Sequence, residues 1–399
     1  MVKAWDTTLI GDFLEFKNGL NKGKEFFGHG TPIVNYTDVY QKRRLKASDI
    51  RGRVFLTADE IHRFEVRKYD VFFTRTSETP NEVGITSVLL EDIDDCVFSG
   101  FVLRGRPKND MFVPEYCKYC FSTAAVRNAI ITGCTYTTRA LTNGKQLSAI
   151  EIPLPPKPEQ EAIATALSDI DTLITNLEKL IAKKKAIKQG SMQELLTGKR
   201  RLPGFDGEWG NVVIGENGYL LRKSINPQIM PLSVFSEYSM PAFDFGKKPN
   251  RVVGADMHSN RTVISGNVLL FNKLNVRQKR IWLVCASEKN AVCSSEFLPY
   301  CSDAISLRFL AHVLGTEEVT AYFIGSSTGT SNSQKRITPA TFLEYSLFAP
   351  LEISEQNAIA DVLDNMDREI VQLEQKLKKY QNIKCGMMSE LLTGRIRLV

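Results

Sequence analysis

The residues in this sequence best suited to chemistry are clustered cations with amides and hydroxyls among them. "NKLNVRQKR", Asn272 to Arg280, brings together Lys273, Asn275, Arg277, Lys279 and Arg280 with no acidic residue between them. "GTSNSQKR", ending at Arg336, adds Ser331, Ser333, Lys335 and Arg336. Nearer the N-terminus, "TRTSETPNE" offers Arg75, Thr76 and Asn81, "QKRRLK" offers Lys42, Arg43 and Arg44, and Arg139 stands in a stretch that corresponds to the one around Arg336. Lysine and arginine neutralise phosphates, which supplies most of the affinity for a nucleic acid. Arginine, lysine and asparagine also reach base edges, where a good bidentate pair discriminates by about 1–3 kcal/mol. This is the chemistry of holding a polyanion and reading it.

Other chemistries find less support. Cys117 and Cys120 form the one C-x-x-C, in "YCKYCF", and a closed zinc site needs two further ligands at comparable spacing. Cys285, Cys293 and Cys301 do not supply that spacing, and His29, His62, His258 and His312 are scattered, so no metal site is expected. Cys117, Tyr119, Cys120 and Phe121 read instead as packing residues on a helix, because a free cysteine behaves as a small hydrophobe. "GLNKGKE", Gly19 to Glu25, is one residue short of a P-loop and lacks the hydroxyl residue after lysine. A DNA methyltransferase needs Asn/Asp-Pro-Pro-aromatic, whereas the Pro-Pro here lies in "LPPK", Leu154 to Lys157. No catalytic residue is assigned.

Bulk properties agree with a binding protein without proving one. A length of 399 residues with 43% hydrophobic and 24% charged side chains predicts two or three soluble domains. The formal net charge of +6 mildly favours a polyanionic partner. Eight cysteines in so long a chain do not make a disulfide framework. "MVKAWDTTLIGDFLEF" has acidic and polar residues where a secretory signal needs an apolar run, and no stretch approaches the roughly 18 apolar residues of a membrane span. A cytoplasmic protein without membrane contact is expected.

The elements that must position these cations come in two copies. At a constant offset of 196, Glu159 to Leu202 matches Glu355 to Leu398 without a gap, with 22 of 44 positions identical. In the first copy Ile163, Leu167, Ile170, Ile174, Leu177 and Ile181 fall at alternating steps of four and three, and in the second Ile359, Leu363, Met366, Ile370, Leu373 and Leu377 do the same, with Tyr380 extending the series. That is a heptad seam. Pro158 suits a helix start and Ser354 a helix cap, Glu159, Glu161 and Glu355 suit the first turns, and Gly198 and Gly394 are natural stops. Each helix should be about 40 residues, or roughly 60 Å long. A stripe so narrow cannot cover itself, so the copies should pair with each other as an antiparallel coiled coil. The lysines of "EKLIAKKKAIK", Glu178 to Lys188, read as a solvated helix face.

Two blocks precede the helices and share a faint skeleton. "WDTTLIG" from Trp5 matches "WGNVVIG" from Trp209, "YDVFFTR" from Tyr69 resembles "GNVLLFN" from Gly266, and "TGCTYTTRALT" parallels "STGTSNSQKRIT". The expected fold is α+β, with two globular domains separated by two long helices in an internal pseudo-two-fold repeat. Boundaries fall at 1–152 for the first globular domain, 153–201 for the first helical spacer, 202–348 for the second domain and 349–399 for the second spacer.

"LPPKPEQEAIATALSDIDTLI…ELLTGKRRL" and its second copy "APLEISEQNAIADVL…ELLTGRIRL" resemble the conserved regions of the specificity subunits of type I restriction-modification enzymes, and the likeness covers the whole chain in order. Within the second block, "EYSMPAFDFGKKP", "LFNKLNVRQKRIWLV", "SSEF" and "GTSNSQKRITP" look like one subgroup of target recognition domains; Val276 departs from it, standing where proline is expected between Asn275 and Arg277. The resemblance implies a non-catalytic subunit that reads a bipartite, asymmetric target in double-stranded DNA. It also implies partners: modification (methyltransferase) subunits and restriction subunits, two of each, docked on the long helices. S-adenosylmethionine, ATP and Mg2+ would then belong to those partners, with no cofactor in this chain. The rival readings are a single-chain DNA-modifying enzyme and a free-standing bipartite DNA-binding or adaptor protein.

Overall fold

The computed structural model describes residues 5–329 and 334–398, so Ser331 and Ser333 lie outside the described residues. The chain divides into two compact units, Met1–Glu178 with Gln375–Val399, and Lys179–Glu374. Each unit therefore holds one globular block and half of each long helix, a grouping that cuts across the four-part division above.

The long helices are Lys157–Leu195 and Ile353–Leu391, 39 residues each. Gly198 and Gly394 follow them with φ of +71° and +70°, a left-handed turn that glycine adopts without strain. Ser354 does not cap the second helix; it sits inside the first turn, with its hydroxyl donating to Glu352 at 3.3 Å.

Within each unit the helix halves run antiparallel. In the first unit Asp171 pairs with Lys384 and Glu159 with Arg397, so partner numbers rise as the first helix is traced back. In the second, Lys184 meets Glu369 at 2.7 Å, Lys188 meets Asp367 at 2.6 Å and Arg201 meets Glu355 at 2.6 Å. Lys185 also reaches Glu374. The lysine run is thus more than a solvated face, because three of its members reach across to acids of the facing helix. Ile163, Leu167, Ile170, Leu177, Ile181, Ile359, Leu363 and Ile370 are buried, while Ile174, Met366, Leu373 and Leu377 are half-buried. The start of each seam serves a globular core: Ile163 and Leu167 pack with Phe13, Tyr116 and Leu391 in the first unit, Ile359 and Leu363 with Phe309, Phe342 and Leu195 in the second.

The globular blocks are built alike. Each opens and closes on one antiparallel strand pair, Asp6–Leu9 with Glu151–Leu154, and Trp209–Val213 with Ser346–Pro350. Each has a central strand that is buried throughout and apolar up to its last residue, Val71–Thr74 and Val268–Asn272, as expected for a run packed on both faces. Short helices follow, Pro114–Cys120 and Ala124–Gly133 in the first unit, Leu307–Leu314 and Glu317–Gly325 in the second; the first of each pair is bonded to the long helix, through Tyr119 to Asp171 and through Arg308 to Asp364. Cys117, Tyr119, Cys120 and Phe121 are buried there as packing residues, and burial pushes the Cys120 thiol well up.

The repeated Pro-x-x-Glu-Gln words have a mechanical role. Gln160 accepts from the Val113 N–H at 2.8 Å and donates to Met111 and Pro155 carbonyls; Gln356 accepts from the Ser306 N–H at 2.8 Å and donates to the Pro350 carbonyl. Val113 and Ser306 are the residues just before the short helices, so each glutamine ties its globular block to its helix. The neighbouring glutamates, both fully withdrawn from solvent, are clamped from the tail of the opposite helix. Trp5 donates to Glu159 at 3.0 Å and Arg397 grips it with two nitrogens; Arg201 grips Glu355 at 2.6 and 2.8 Å, with Trp209 at 3.4 Å. Burial alone would raise the Glu159 pKa, but Arg397 and Trp5 outweigh it and hold the carboxyl below its ordinary range. Gly198 and Gly394 lie flat on Trp209 and Trp5, where an added Cβ would come within 3.1 and 3.2 Å of the rings.

The second unit carries a titratable variation on this junction. His312 lies 2.8 Å from Asp364, which Arg308 also holds, with Asp367 and Lys188 beyond. Burial lowers the histidine pKa below its ordinary 6.5, against the opposing pull of Asp364. The unfolded chain therefore takes up its proton first as pH falls. This contribution to stability is complete above pH 6.5 and is lost as pH drops toward the folded value. His312→Gln should shrink the difference in the second unit's melting temperature between pH 7.5 and pH 5.5; an unchanged difference would show that the imidazole does not set it.

Candidate nucleic-acid interface

In both units the cations follow from one local plan: a loop leaves the buried central strand and is stitched to a second loop just ahead of the closing strand. In the first unit Arg75 and Thr76 leave Val71–Thr74, and Thr76–Ser77 pairs with Ala140–Leu141 beside Arg139. Thr142 donates to the Arg75 carbonyl at 3.0 Å. In the second unit Lys273 to Arg280 follow Val268–Asn272; the Asn275 N–H donates to Lys335 at 2.9 Å, and Leu274 bridges to Arg336.

The first-unit loops border an open cleft of about 440 Å³ lined by Tyr36, Tyr40, Thr76, Glu82, Phe101 and Arg139. Arg139 is exposed, and Phe101 shows more than half of its surface. Arg75 is less free: one guanidinium nitrogen donates to the Gly100 carbonyl at 3.1 Å. Glu82 accepts from Ser77 at 2.6 Å and Tyr40 at 3.0 Å, and these hydrogen bonds lower its pKa. An ionised carboxylate there is an acceptor of the kind that reads a cytosine amino group. Lys42, Arg43 and Asn81 border a separate cavity, and Arg44 is exposed on a short strand.

In the second unit several cations that look free in the sequence are engaged. Arg280 makes two bonds to Asp244 at 2.8 and 2.7 Å, Lys279 meets Glu317 at 2.6 Å, and Arg336 holds Glu296 at 3.1 and 3.2 Å. Arg277 is exposed and has no ion pair among the described residues; Lys273 and Lys335 are half-exposed. At Val276 the chain forms a short 3-10 turn flanked by left-handed Asn275 and Lys279, with Val276 buried, so the turn closes without proline. Phe245 was not foreseen. It is 98% exposed, beside the Asp244 that Arg280 anchors, and Lys247 and Lys248 follow it.

His312, Asp364 and Asp367 bring ligand atoms within 4.8 Å of one another. Arg308 and Lys188 already neutralise both carboxylates, so the cluster reads as an ion-pair junction. Among the described residues no helix is long and apolar enough to cross a membrane.

Comparison with known proteins agrees with this architecture. Residues 3–189 match the model of the type I restriction modification DNA specificity domain. The chain is similar to the type I restriction enzyme MjaX specificity subunit of Methanocaldococcus jannaschii, 23% identical over 99% of this chain and 94% of that protein. It also resembles the MjaVIII specificity subunit of the same organism, 25% identical over 62% of this chain and 63% of the relative. Among solved structures, the S subunit of a type I restriction-modification system from M. genitalium shares its fold with a TM-score of 0.61 at 14% identity, covering 97% of this chain and 96% of the other. A chain from the structural work on complex assembly and conformational transition of the type I R-M system aligns with a TM-score of 0.54 at 15% identity over 98% of both. Residues 3–189 thus carry the type I restriction modification DNA specificity domain, and over its whole length the chain, with its duplicated helices and two strand-closed blocks, is similar to type I specificity subunits.

Proposed function

We propose that each globular block reads one half of a bipartite, asymmetric DNA target, and that the long helices dock methyltransferase and restriction subunits, two of each. The observation that carries this reading is the repeated pairing of a post-strand loop with the loop before the closing strand, which gathers cations, amides and hydroxyls at one place in each unit. In the first unit Arg139, Thr76 and Glu82 face the bases while Asn81, Lys42, Arg43 and Arg44 lie toward the backbone. In the second, Arg277, Asn275 and Lys273 reach base edges, Lys335 supports them, and Phe245 offers an apolar contact. Lys279, Arg280 and Arg336 hold the loops in shape through their acidic partners. S-adenosylmethionine, ATP and Mg2+ act in the partner subunits.

The test is methylation mapping of DNA from cells that express the chain with its modification subunit. A split asymmetric site is expected. Arg277→Ala should cost about 1–3 kcal/mol of discrimination at one position, relaxing one half of that site and leaving the other half required. Equal relaxation of both halves would contradict the two-reader model.

A further inference from the structure

Arg127 is an arginine without a counter-charge among the described residues. It lies on the helix Ala124–Gly133, where one nitrogen donates to the Asn81 carbonyl at 2.8 Å and another, Nη1, is buried with no partner. Burial lowers its pKa, and no carboxylate among the described residues offsets that cost. Arg106 in the same unit shows the usual arrangement for a withdrawn guanidinium: it is bonded to both Asp70 and Glu65.

The space beside Arg127 is a cavity of about 510 Å³ whose wall also carries Arg43, Ser122 and Thr86. Arg43 is set in place by a 2.7 Å bond to Ser122 and has no acidic partner among the described residues; Lys42, at the rim, is paired with Asp49. Gly84, at φ +67°, lets the loop press against this wall, since a Cβ there would sit 2.6 Å from Ile130 and 3.6 Å from Arg127. Two guanidiniums with no acidic partner among the described residues, and a hydroxyl, around one solvent-open hollow make a receptor for a compact anion.

We propose that this cavity holds a single phosphodiester of the DNA backbone, with Arg127 and Arg43 donating to its non-bridging oxygens. The proposal rests on the DNA-reading role above and deepens it: a phosphate seated here fixes the register of the first unit on the duplex, so that the Arg139 cleft meets the correct bases.

The test uses the full chain in complex with its modification subunits and a duplex carrying the mapped site. Arg127→Gln should weaken binding about tenfold near physiological salt and lower the slope of log K against log salt by about 1, equally for matched and mismatched first halves. Arg127→Lys should restore the slope. Single neutral methylphosphonates are then walked along the first half-site. At one position the substitution should cost the wild type as much as Arg127→Gln does, and cost that variant nothing more. Arg43→Gln, a change at an exposed side chain, must couple to the same position, which keeps the test decisive if Arg127→Gln folds poorly. An unchanged salt slope, or no coupled phosphate, overturns the proposal while wild-type binding leaves the DNA-reading role standing. Loss of modification-subunit binding with DNA affinity unchanged would assign the cavity to a partner's carboxylate and equally overturn it. A wild-type complex that fails to bind DNA brings down both.

Discussion

A chain ended after Leu202 is expected to dimerise and, with the modification subunit, to direct methylation to a palindrome built from one half of the parent site. The reason lies in which residues meet. Subtracting the offset of 196 from each second-copy partner gives the contacts such a dimer would make. Lys188 with Asp367 becomes Lys188 with Asp171 of the other copy, Lys185 with Glu374 becomes Lys185 with Glu178, and Arg201 with Glu355 becomes Arg201 with Glu159. Each keeps its charges. Leu391 and Leu392, which complete the first core, are replaced by Leu195 and Leu196. Losses are few: Lys184 faces Leu173 in place of Glu369, and Ser191 takes the place of Met387. Two identical chains on a two-fold axis thus rebuild the first unit twice. Sedimentation at micromolar concentration and mapping of methylated sites check this; a monomeric fragment, or a site that keeps both original halves, would show that the duplication is ancestry alone.

The second large effect is expected at the clamp. Glu355→Lys places an ammonium where a carboxylate with 1% exposure stood, against the Arg201 guanidinium. A buried like-charge pair has no compensating partner, and removing one member of a buried ion pair is already strongly destabilising. Hydrogen exchange should speed up across the second block from Trp209 to Pro350, and recognition of its half-site should disappear while the first half-site is still read. Adding Arg201→Glu should recover much of both. Glu159→Lys with Arg397→Glu is the mirror experiment and should spare the second half instead. If either single variant reads both halves normally, the clamp does not hold the blocks.

The helices were legible because a gapless repeat with a heptad seam is a local pattern, and periodicity is what a single sequence displays best. The clamp was half legible. Glu159 and Glu355 were assigned to helix-dipole stabilisation, yet the same Trp, Glu and Arg recur in both copies, and that triple recurrence is the signal that would have linked them. The cations were the least legible. Arg280, Lys279 and Arg336 look free because Asp244, Glu317 and Glu296 lie 36, 38 and 40 residues away, and only the folded chain brings them together. Arg127 escapes the sequence for the opposite reason: in "AAVRNAIIT" it looks like the polar face of an ordinary helix, and its lack of an acidic partner among the described residues is a fact about three dimensions.

The crossed clamp also bears on synthesis. The second unit, Lys179–Glu374, is continuous in the chain and holds its own clamp residues, Arg201 and Glu355. The first unit needs Gln375–Val399, including Leu391, Leu392 and Arg397, to cover its core and neutralise Glu159. On the ribosome, of the two units, the one begun first is therefore the one finished last: it must wait with an open apolar flank and a lone buried acid until residues 375–399 emerge, and during that interval it is the unit more in need of a chaperone.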